Sequence, residues 1–551
     1  MTKKAIVLAA GMGTRLRPLT ATIPKPLMPV WGEPMLARIV GLLRSWGVDD
    51  IQVNSCYLGD KIEAWCASNG CGISRESEIL GTGGALNPLR EWIGNEPFYL
   101  VNADIVVEGI DNNPFPPDVF ARREVGAEAI GACIVAANGP QTLEVEPESR
   151  FVTNWKSDDA GVPGTFTYCG IALLKPEILQ YIKGDGFSSI IEAYEKAMME
   201  GRFIRAIAPQ ELLWSDAGTI SSYIELNRSG QDNAFAGFPQ LQSAFASCGN
   251  QEGQIEFLGA RGSDRCFFRS GNLIAIIYDD SARGENARYA GHARWLKEKG
   301  IAVPEIVCDL PEIKTLVMEY AGSEDLAARI AKRGVDRIGS YLAVVEELAK
   351  FNSLANENPP PLEPAFDREL WRWEVDLFRE QCLAARFRKE ISSEVAAEFE
   401  RIASLLEVEP RALVHRDFQS SNVIWKNDRF SIIDFQGMRG GPAVYDLASL
   451  IYDPYVKLTE KERRALAGAY ARKTARMEVV DILPFAAVQR MAQALGAFGR
   501  LAGAGHASFG KYVLPALENM LAAADEAGLE AIGALAEDLI ASETHRQSHC
   551  H

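Results

Sequence analysis

From Lys4 to Ile110, short β-branched or apolar runs alternate with amphipathic stretches: KAIVLAA, MLARIVGLLRSWG, DIQVNS, EAWCASNG and PFYLVNADIVV. Strands separated by helical segments of this length pair through parallel crossovers. The spacing therefore predicts an α/β domain with a Rossmann-like, mostly parallel sheet. The first run passes directly into LAAGMGTRLRPLTATIPKPL at Leu8 to Leu27, and PFYLVNAD ends in an acid at Asp104. Ligands of such sheets bind outside the carboxyl ends of the strands, where the Gly11 loop and Asp104 both fall.

Further along, FVTNWKSDDAGVPGTFTYCGIALLKPEIL reads as strand, turn and strand leading to a helix, with Pro163-Gly164 as the turn. Ser221 to Asn227 looks helical. The composition then shifts to Gly, Ser, Gln and Asn, which marks residues 230–254 as a linker between a first domain at 1–229 and a second at 255–545. From Ile255 a hairpin, an amphipathic helix and a second hairpin-like pair (EIVCD, TLVMEYA) form a small β-rich lobe at about 255–322. Mostly helical sequence follows, at about 323–545. That order of lobes is the protein-kinase-like arrangement.

At 551 residues the chain exceeds a single core, and its length suggests about three or four structural units. Apolar residues make up 47% and charged residues 24%, as in folded globular proteins. A formal charge of −17 argues against nucleic acid as a partner, because phosphate backbones demand a concentrated basic surface. Apolar stretches too short for a membrane span, a short N-terminal apolar run broken at Gly11 to Gly13, and ten cysteines without CxxC pairs predict a cytoplasmic protein with reduced thiols. The sequence leaves oligomerisation open.

In the first signature, Gly11 and Gly13 let backbone N–H groups approach an anion, and Arg15 and Lys25 supply mobile positive charge. The run from the glycines through Thr14-Arg15 to Pro24-Lys25-Pro26-Leu27 resembles the sugar-1-phosphate nucleotidyltransferases, and the likeness extends over about Met1 to Asn227. That resemblance implies nucleotide contacts from Ala10, Gly11, Gly13 and Thr14. It implies a nucleoside loop at SEILGTGGAL, with Gly83 and Gly84 where a side chain would crowd the nucleoside. Sugar contacts would come from Tyr168 and Gly170, and Mg²⁺ would be held by Asp104 and by Asp216 of WSDAGT. Arg15 and Lys25 would be catalytic. The pattern is also similar to that of the N-acetylmuramate-1-phosphate uridylyltransferases.

The second signature is VHRDFQSSNVIW followed by IIDFQ, with Asp417 five residues before Asn422 and Asp434 after a short hairpin. It resembles the aminoglycoside phosphotransferase and choline kinase superfamily. By that resemblance Asp417 orients or deprotonates the acceptor hydroxyl, Asn422 and Asp434 hold Mg²⁺ against ATP, and Glu319 and Tyr320 of VMEYAG form the adenine hinge. His415 and Arg416 would brace the loop, with Asp446 pairing to it from a helix. The strand expected to carry a phosphate-binding lysine reads LIAIIYDD and has none. A degenerate kinase, an arginine such as Arg265 or Arg269 substituting, or a relocated charge would each account for this. DRCFFR is similar to the arginine-rich loop of anomeric N-acetylmuramate and N-acetylglucosamine kinases, which implies an active enzyme with Ser263 and Arg265 at the phosphates.

The two signatures together predict a bifunctional amino-sugar salvage enzyme that uses ATP and UTP with Mg²⁺, acting on small amino sugars and sugar 1-phosphates, with neither nucleic acid nor membrane as partner. The alternatives are a choline kinase fused to a CTP:phosphocholine cytidylyltransferase, with Trp371, Trp373, Trp425, Tyr452 and Tyr455 as a cation–π cage, or a regulatory protein with one inactive domain.

Overall fold

A computed structural model describes residues 2–110, 112–115, 128–228, 238–250, 254–261, 265–279, 284–503 and 507–548. The chain divides into two compact units, one comprising Met1–Ala282 with Cys308–Val317 and the other Arg283–Val307 with Met318–His551.

In the first unit, strand Lys4–Leu8 pairs in parallel with Asp50–Ser55 on one side and Phe98–Asn102 on the other, and Gly72–Arg75 extends the edge. Helices Met35–Ser45 and Gly59–Asn69 make the crossovers. The opening strand is buried on both faces, which its uninterrupted apolar run requires. Ala5 and Val7 join Leu36, Ile39 and Leu43 in one core, while Ile6 joins Leu100, Ala172 and Tyr194 in the other. Full burial of each Val, Leu or Ile side chain among these is worth about 1.5–3 kcal/mol. Strand Thr165–Leu174 runs antiparallel beside Phe98–Asn102 and carries Ala129–Ala136, to which Phe203–Ile207 adds in parallel.

The stretch expected to be a linker holds a helix, Pro239–Ser247, entered through Phe238. Phe238, Leu241, Ala244 and Phe245 are buried in a core that also contains Tyr223 and Ile224 of helix Ile220–Arg228. The same core takes in Cys266, Phe268, Ala275 and Ile277. These belong to strands Arg265–Ser270 and Leu273–Tyr278, which form an antiparallel meander with Ile255–Arg261. The packing division thus falls after this meander rather than before it.

The second unit is mainly helical, with Arg337–Asn352, Ser393–Glu407, Val444–Ile451, Val479–Gly503 and Val513–Ala527 among its helices. Two short antiparallel pairs, Arg411–Val414 with Arg439–Pro442 and Val423–Lys426 with Arg429–Ile432, carry the second signature. Among the described residues no helix is long and apolar enough to cross a membrane.

Candidate active sites

Strand register assembles the first site. Leu8 lies opposite Asn102, and Ala103 N–H donates to the Leu8 carbonyl at 3.1 Å, so Asp104 leaves its strand beside the glycine loop. Strand Leu213–Asp216 pairs antiparallel with Ile105–Glu108, placing Asp216 opposite Ile105 and therefore next to Asp104. Lys25 completes the group: its Nζ donates to Asp104 Oδ2 at 2.7 Å and stands 3.8 Å from Asp216 Oδ1. The lysine side chain is only 9% exposed, whereas the carboxylates are 37% and 40% exposed. A nearly buried ammonium is held by two acids that still face solvent. Gly218 lies against the Asp216 carboxylate, where an added Cβ would come within 2.4 Å of Oδ2.

The pocket beside this group is lined by Leu8 to Gly11, Lys25, Asn54, Glu76, Thr82, Asn102 and Asp104. Gly13 has φ +63°, and a Cβ there would press on Thr20 and Lys25 at 3.1 Å, so the turn needs glycine. A Cβ at Gly11 would meet nothing within 4 Å and would enter open space. Thr14 and Arg15 are exposed at the loop tip. A buried polar chain that the sequence did not reveal fixes the loop from behind. Ala9 N–H donates to Asn54 Oδ1, Asn54 Nδ2 donates to Glu76 Oε1 at 2.6 Å, and Leu80 N–H donates to Glu76 Oε2 at 3.0 Å.

Packing alone requires glycine at positions 83 and 84. Both are buried, their N–H groups donate to the Ser188 carbonyl, and added Cβ atoms would strike the backbone of residues 186–190. Gly170 has φ +73° and abuts the Asn102 side chain, while Tyr168 packs edge-on against Trp155 at 5.7 Å. Neither lines the pocket beside Asp104.

The second site lies on the loop after strand Arg411–Val414. Asp446 is fully buried and accepts from His415 N–H at 2.7 Å, Arg416 N–H at 2.9 Å and Asn352 Nδ2 at 3.2 Å. The His415 ring bonds the Ile433 carbonyl through Nε2 at 3.0 Å. His415 and Asp446 thus brace the loop, charge-assisted bonds of this kind contributing about 1.5–3 kcal/mol each. The hairpin register Val423 to Ile432 sets Asn422 beside Ile433, whose N–H donates to the Asn422 carbonyl at 3.0 Å. Asp434 therefore follows directly alongside Asn422. Asn422 Nδ2 donates to the Asp417 carbonyl at 2.8 Å, tying the two ends of the motif together and leaving its Oδ1 for a cation.

Asp417 is fixed by a residue the sequence did not single out. Buried Arg490, on helix Val479–Gly503, donates to Asp417 Oδ1 at 3.3 Å and to Gln419 Oε1 at 3.3 Å. Asp417 Oδ2 has no protein partner among the described residues. It is the free oxygen that a hydroxyl could meet. Glu319 N–H donates to the Glu305 carbonyl, and the Tyr320 carbonyl accepts from Lys426 Nζ at 2.9 Å, so parts of the expected hinge have protein partners. Ser263 lies outside the described residues, and Arg265 opens a strand of the first unit. The aromatic side chains considered for a choline cage occupy separate clusters: Trp371 stacks on Phe366, Trp425 packs on Phe430, and Tyr455 packs on Tyr512.

Burial pushes the Asp446 carboxyl up to about 6, opposed by His415 and the backbone donors. Acidification through that value protonates the folded state before the unfolded one, so this group alone favours the fold at lower pH. The catalytic loop, however, loses its anionic acceptor over the same range. Phosphotransfer is expected to decline as pH falls through about 6, and an Asp446→Asn variant, at a lower plateau, is expected to lack that limb in a rate profile from pH 5 to 8.

Residues 4–141 match the family described as nucleotidyl transferase, and residues 254–480 match the phosphotransferase enzyme family. The chain is a transferase fusion, an N-terminal nucleotidyltransferase domain followed by a C-terminal phosphotransferase domain. It is 28% identical over 235 residues to probable mannose-1-phosphate guanylyltransferase 3 of Oryza sativa subsp. japonica, covering 40% of this chain and 63% of that one. It is 27% identical over 225 residues to N-acetylmuramate alpha-1-phosphate uridylyltransferase of Neisseria meningitidis serogroup B, covering 39% of this chain and 94% of that one. UDP-glucose pyrophosphorylase from Acinetobacter baumanii aligns in structure with a TM-score of 0.34 at 18% identity, over 45% of this chain and 99% of that one. The chain thus spans less than two thirds of the rice relative, and the relatives' names differ in base and sugar.

Proposed function

We propose that the phosphotransferase domain uses ATP to phosphorylate the anomeric hydroxyl of N-acetylmuramate or N-acetylglucosamine, and that the nucleotidyltransferase domain transfers UMP from UTP to that 1-phosphate, releasing pyrophosphate. The observation that carries the nucleotidyl transfer is Lys25 held between Asp104 and Asp216 at the mouth of the glycine loop. The likeness to the N. meningitidis uridylyltransferase, over nearly all of that protein, supports uridylyl transfer to an amino-sugar phosphate. For the phosphotransfer, Asp417 has one oxygen on Arg490 and the other open, on a loop tied to Asn422, with Asp434 following beside it.

A pair of carboxylates in the first site, and one carboxylate with an amide oxygen in the second, suit Mg²⁺, which is commonly held by one or two carboxylates together with substrate phosphates. Asp104 with Asp216 would hold it in the first site, and Asn422 with Asp434 in the second. Bound there, it would shield phosphate charge and favour in-line attack. Lys25 lies within reach of the same anions and supplies a compact positive charge as pyrophosphate departs. The Gly11 backbone, open to solvent, admits phosphate closely. In the second domain, Arg490 fixes one oxygen of Asp417 so that the other accepts the hydroxyl proton or orients the hydroxyl. The setting we propose is cytoplasmic amino-sugar salvage.

The test supplies each substrate separately, with Mg²⁺ throughout. N-acetylmuramate, N-acetylglucosamine or choline is given with ATP, and the corresponding phosphate is given with UTP or CTP. UDP-amino sugar is the expected product. Formation of CDP-choline without a UDP-sugar would overturn the proposal.

A further inference from the structure

The nucleotidyltransferase loop is supported by strands that lie outside the nucleotidyl transferase family match. Leu16 and Leu19, both fully buried, share a core with Cys266, Phe268, Ala275 and Ile277 of the meander, which falls in the region matching the phosphotransferase family. Between these leucines, Arg17 reaches out of the loop, and its Nη1 meets Asp279 Oδ2 at 3.0 Å. Asp279 follows strand Leu273–Tyr278, the one expected to carry a kinase lysine, and its side chain is only 7% exposed. Lys314 Nζ lies 3.8 Å from its other oxygen. A carboxylate this deep requires cations to remain charged, so Arg17 is held where Asp279 stands.

Arg17 is coupled to the phosphate-facing backbone by short links. Its N–H donates to the Thr14 carbonyl at 3.2 Å, and Leu16 N–H donates to the Gly13 carbonyl at 3.0 Å. Thr20 Oγ1 closes the turn on the same Gly13 carbonyl at 2.8 Å, and Gly13 sits against Lys25. Movement of Arg17 therefore moves the turn that presents Gly11, Gly13 and Arg15 to a triphosphate. We infer that Asp279 is a positioning residue for nucleotidyl transfer, through which the meander of the phosphotransferase region sets how well the first site holds its nucleoside triphosphate. The inference rests on Leu8–Leu27 being the triphosphate loop.

The experiment uses the full chain with Mg²⁺, sugar 1-phosphate and UTP, or whichever triphosphate the wild type accepts. Asp279→Asn, which keeps the shape and removes the charge, is expected to raise KM for the triphosphate about tenfold or more, misplacement of binding groups by about 1 Å costing up to about a hundredfold. KM for the sugar phosphate and the phosphotransfer rate are expected to stay within about twofold. Arg17→Met, at a partly exposed position, is expected to give the same rise, and the double variant to be no worse than either single change, as coupled residues require. An unchanged KM in both single variants would overturn the inference. So would parallel loss of both activities with a lowered melting temperature. Lys25→Ala separates the two levels: if it leaves nucleotidyl transfer intact, the loop assignment itself fails, whereas if it abolishes transfer while Asp279→Asn is silent, only the inference fails.

Discussion

Replacing Asp104 by alanine is expected to reduce nucleotidyl transfer to a supplied sugar 1-phosphate by about a hundredfold to a thousandfold, the range seen when one preorganised electrostatic group is removed from a transferring centre. The substitution acts in two ways. It removes one of the two carboxylates that converge on the site, and it takes from Lys25 its 2.7 Å partner, leaving a nearly buried ammonium with Asp216 at 3.8 Å. Lys25 is then free to swing toward Asp216, away from the loop. Asp104 is more than one third exposed, so the fold is expected to survive. Steady-state rates with sugar 1-phosphate in one assay and free sugar with ATP in another check both parts. The second activity is expected to remain at the wild-type level.

Asp417→Ala is expected to do the reverse, lowering phosphotransfer by about a hundredfold to ten-thousandfold, as expected for loss of a general base, while nucleotidyl transfer continues. Asp417 has one oxygen on Arg490 and the other open, an arrangement that serves an acceptor better than it serves packing. Its removal also leaves Arg490 near the loop without its anion, although the guanidinium retains Ser449 and Gln419 as acceptors. The backbone brace from Asp446 does not depend on the Asp417 side chain, so the loop is expected to hold its shape.

Much of this was legible in the chain because the informative residues were local. The alternation of apolar runs gave the parallel core around Lys4–Leu8, and the acids Asp104, Asp216, Asp417 and Asp434 each stood inside an extended motif. What escaped was of two kinds. Long-range partners leave no periodic trace: Arg490 reaches Asp417 across 73 positions, and Asn54 meets Glu76 because two strand ends happen to be neighbours. The other kind was masked by composition. The polar stretch after Asn227 contains Phe238, Leu241 and Phe245 at helical spacing, enough to bury one face of Pro239–Ser247 even though Gly, Ser, Gln and Asn surround it. The packing of Gly83 and Gly84 against backbone atoms of residues 186–190 is likewise a contact no linear pattern encodes.

That two sites on one chain catalyse consecutive steps is tested most directly by a single incubation of the protein with N-acetylmuramate or N-acetylglucosamine, ATP, UTP and Mg²⁺, followed by separation of nucleotide products. The wild type is expected to make a UDP-amino sugar from the free sugar. Asp104→Ala is expected to stop at the sugar 1-phosphate, Asp417→Ala to make nothing from the free sugar, and a mixture of the two variants to restore the UDP-sugar. Failure of the mixture to restore product, with both variants folded and each retaining its untouched activity, would contradict consecutive action, as would a wild type that forms no UDP-sugar from either free sugar.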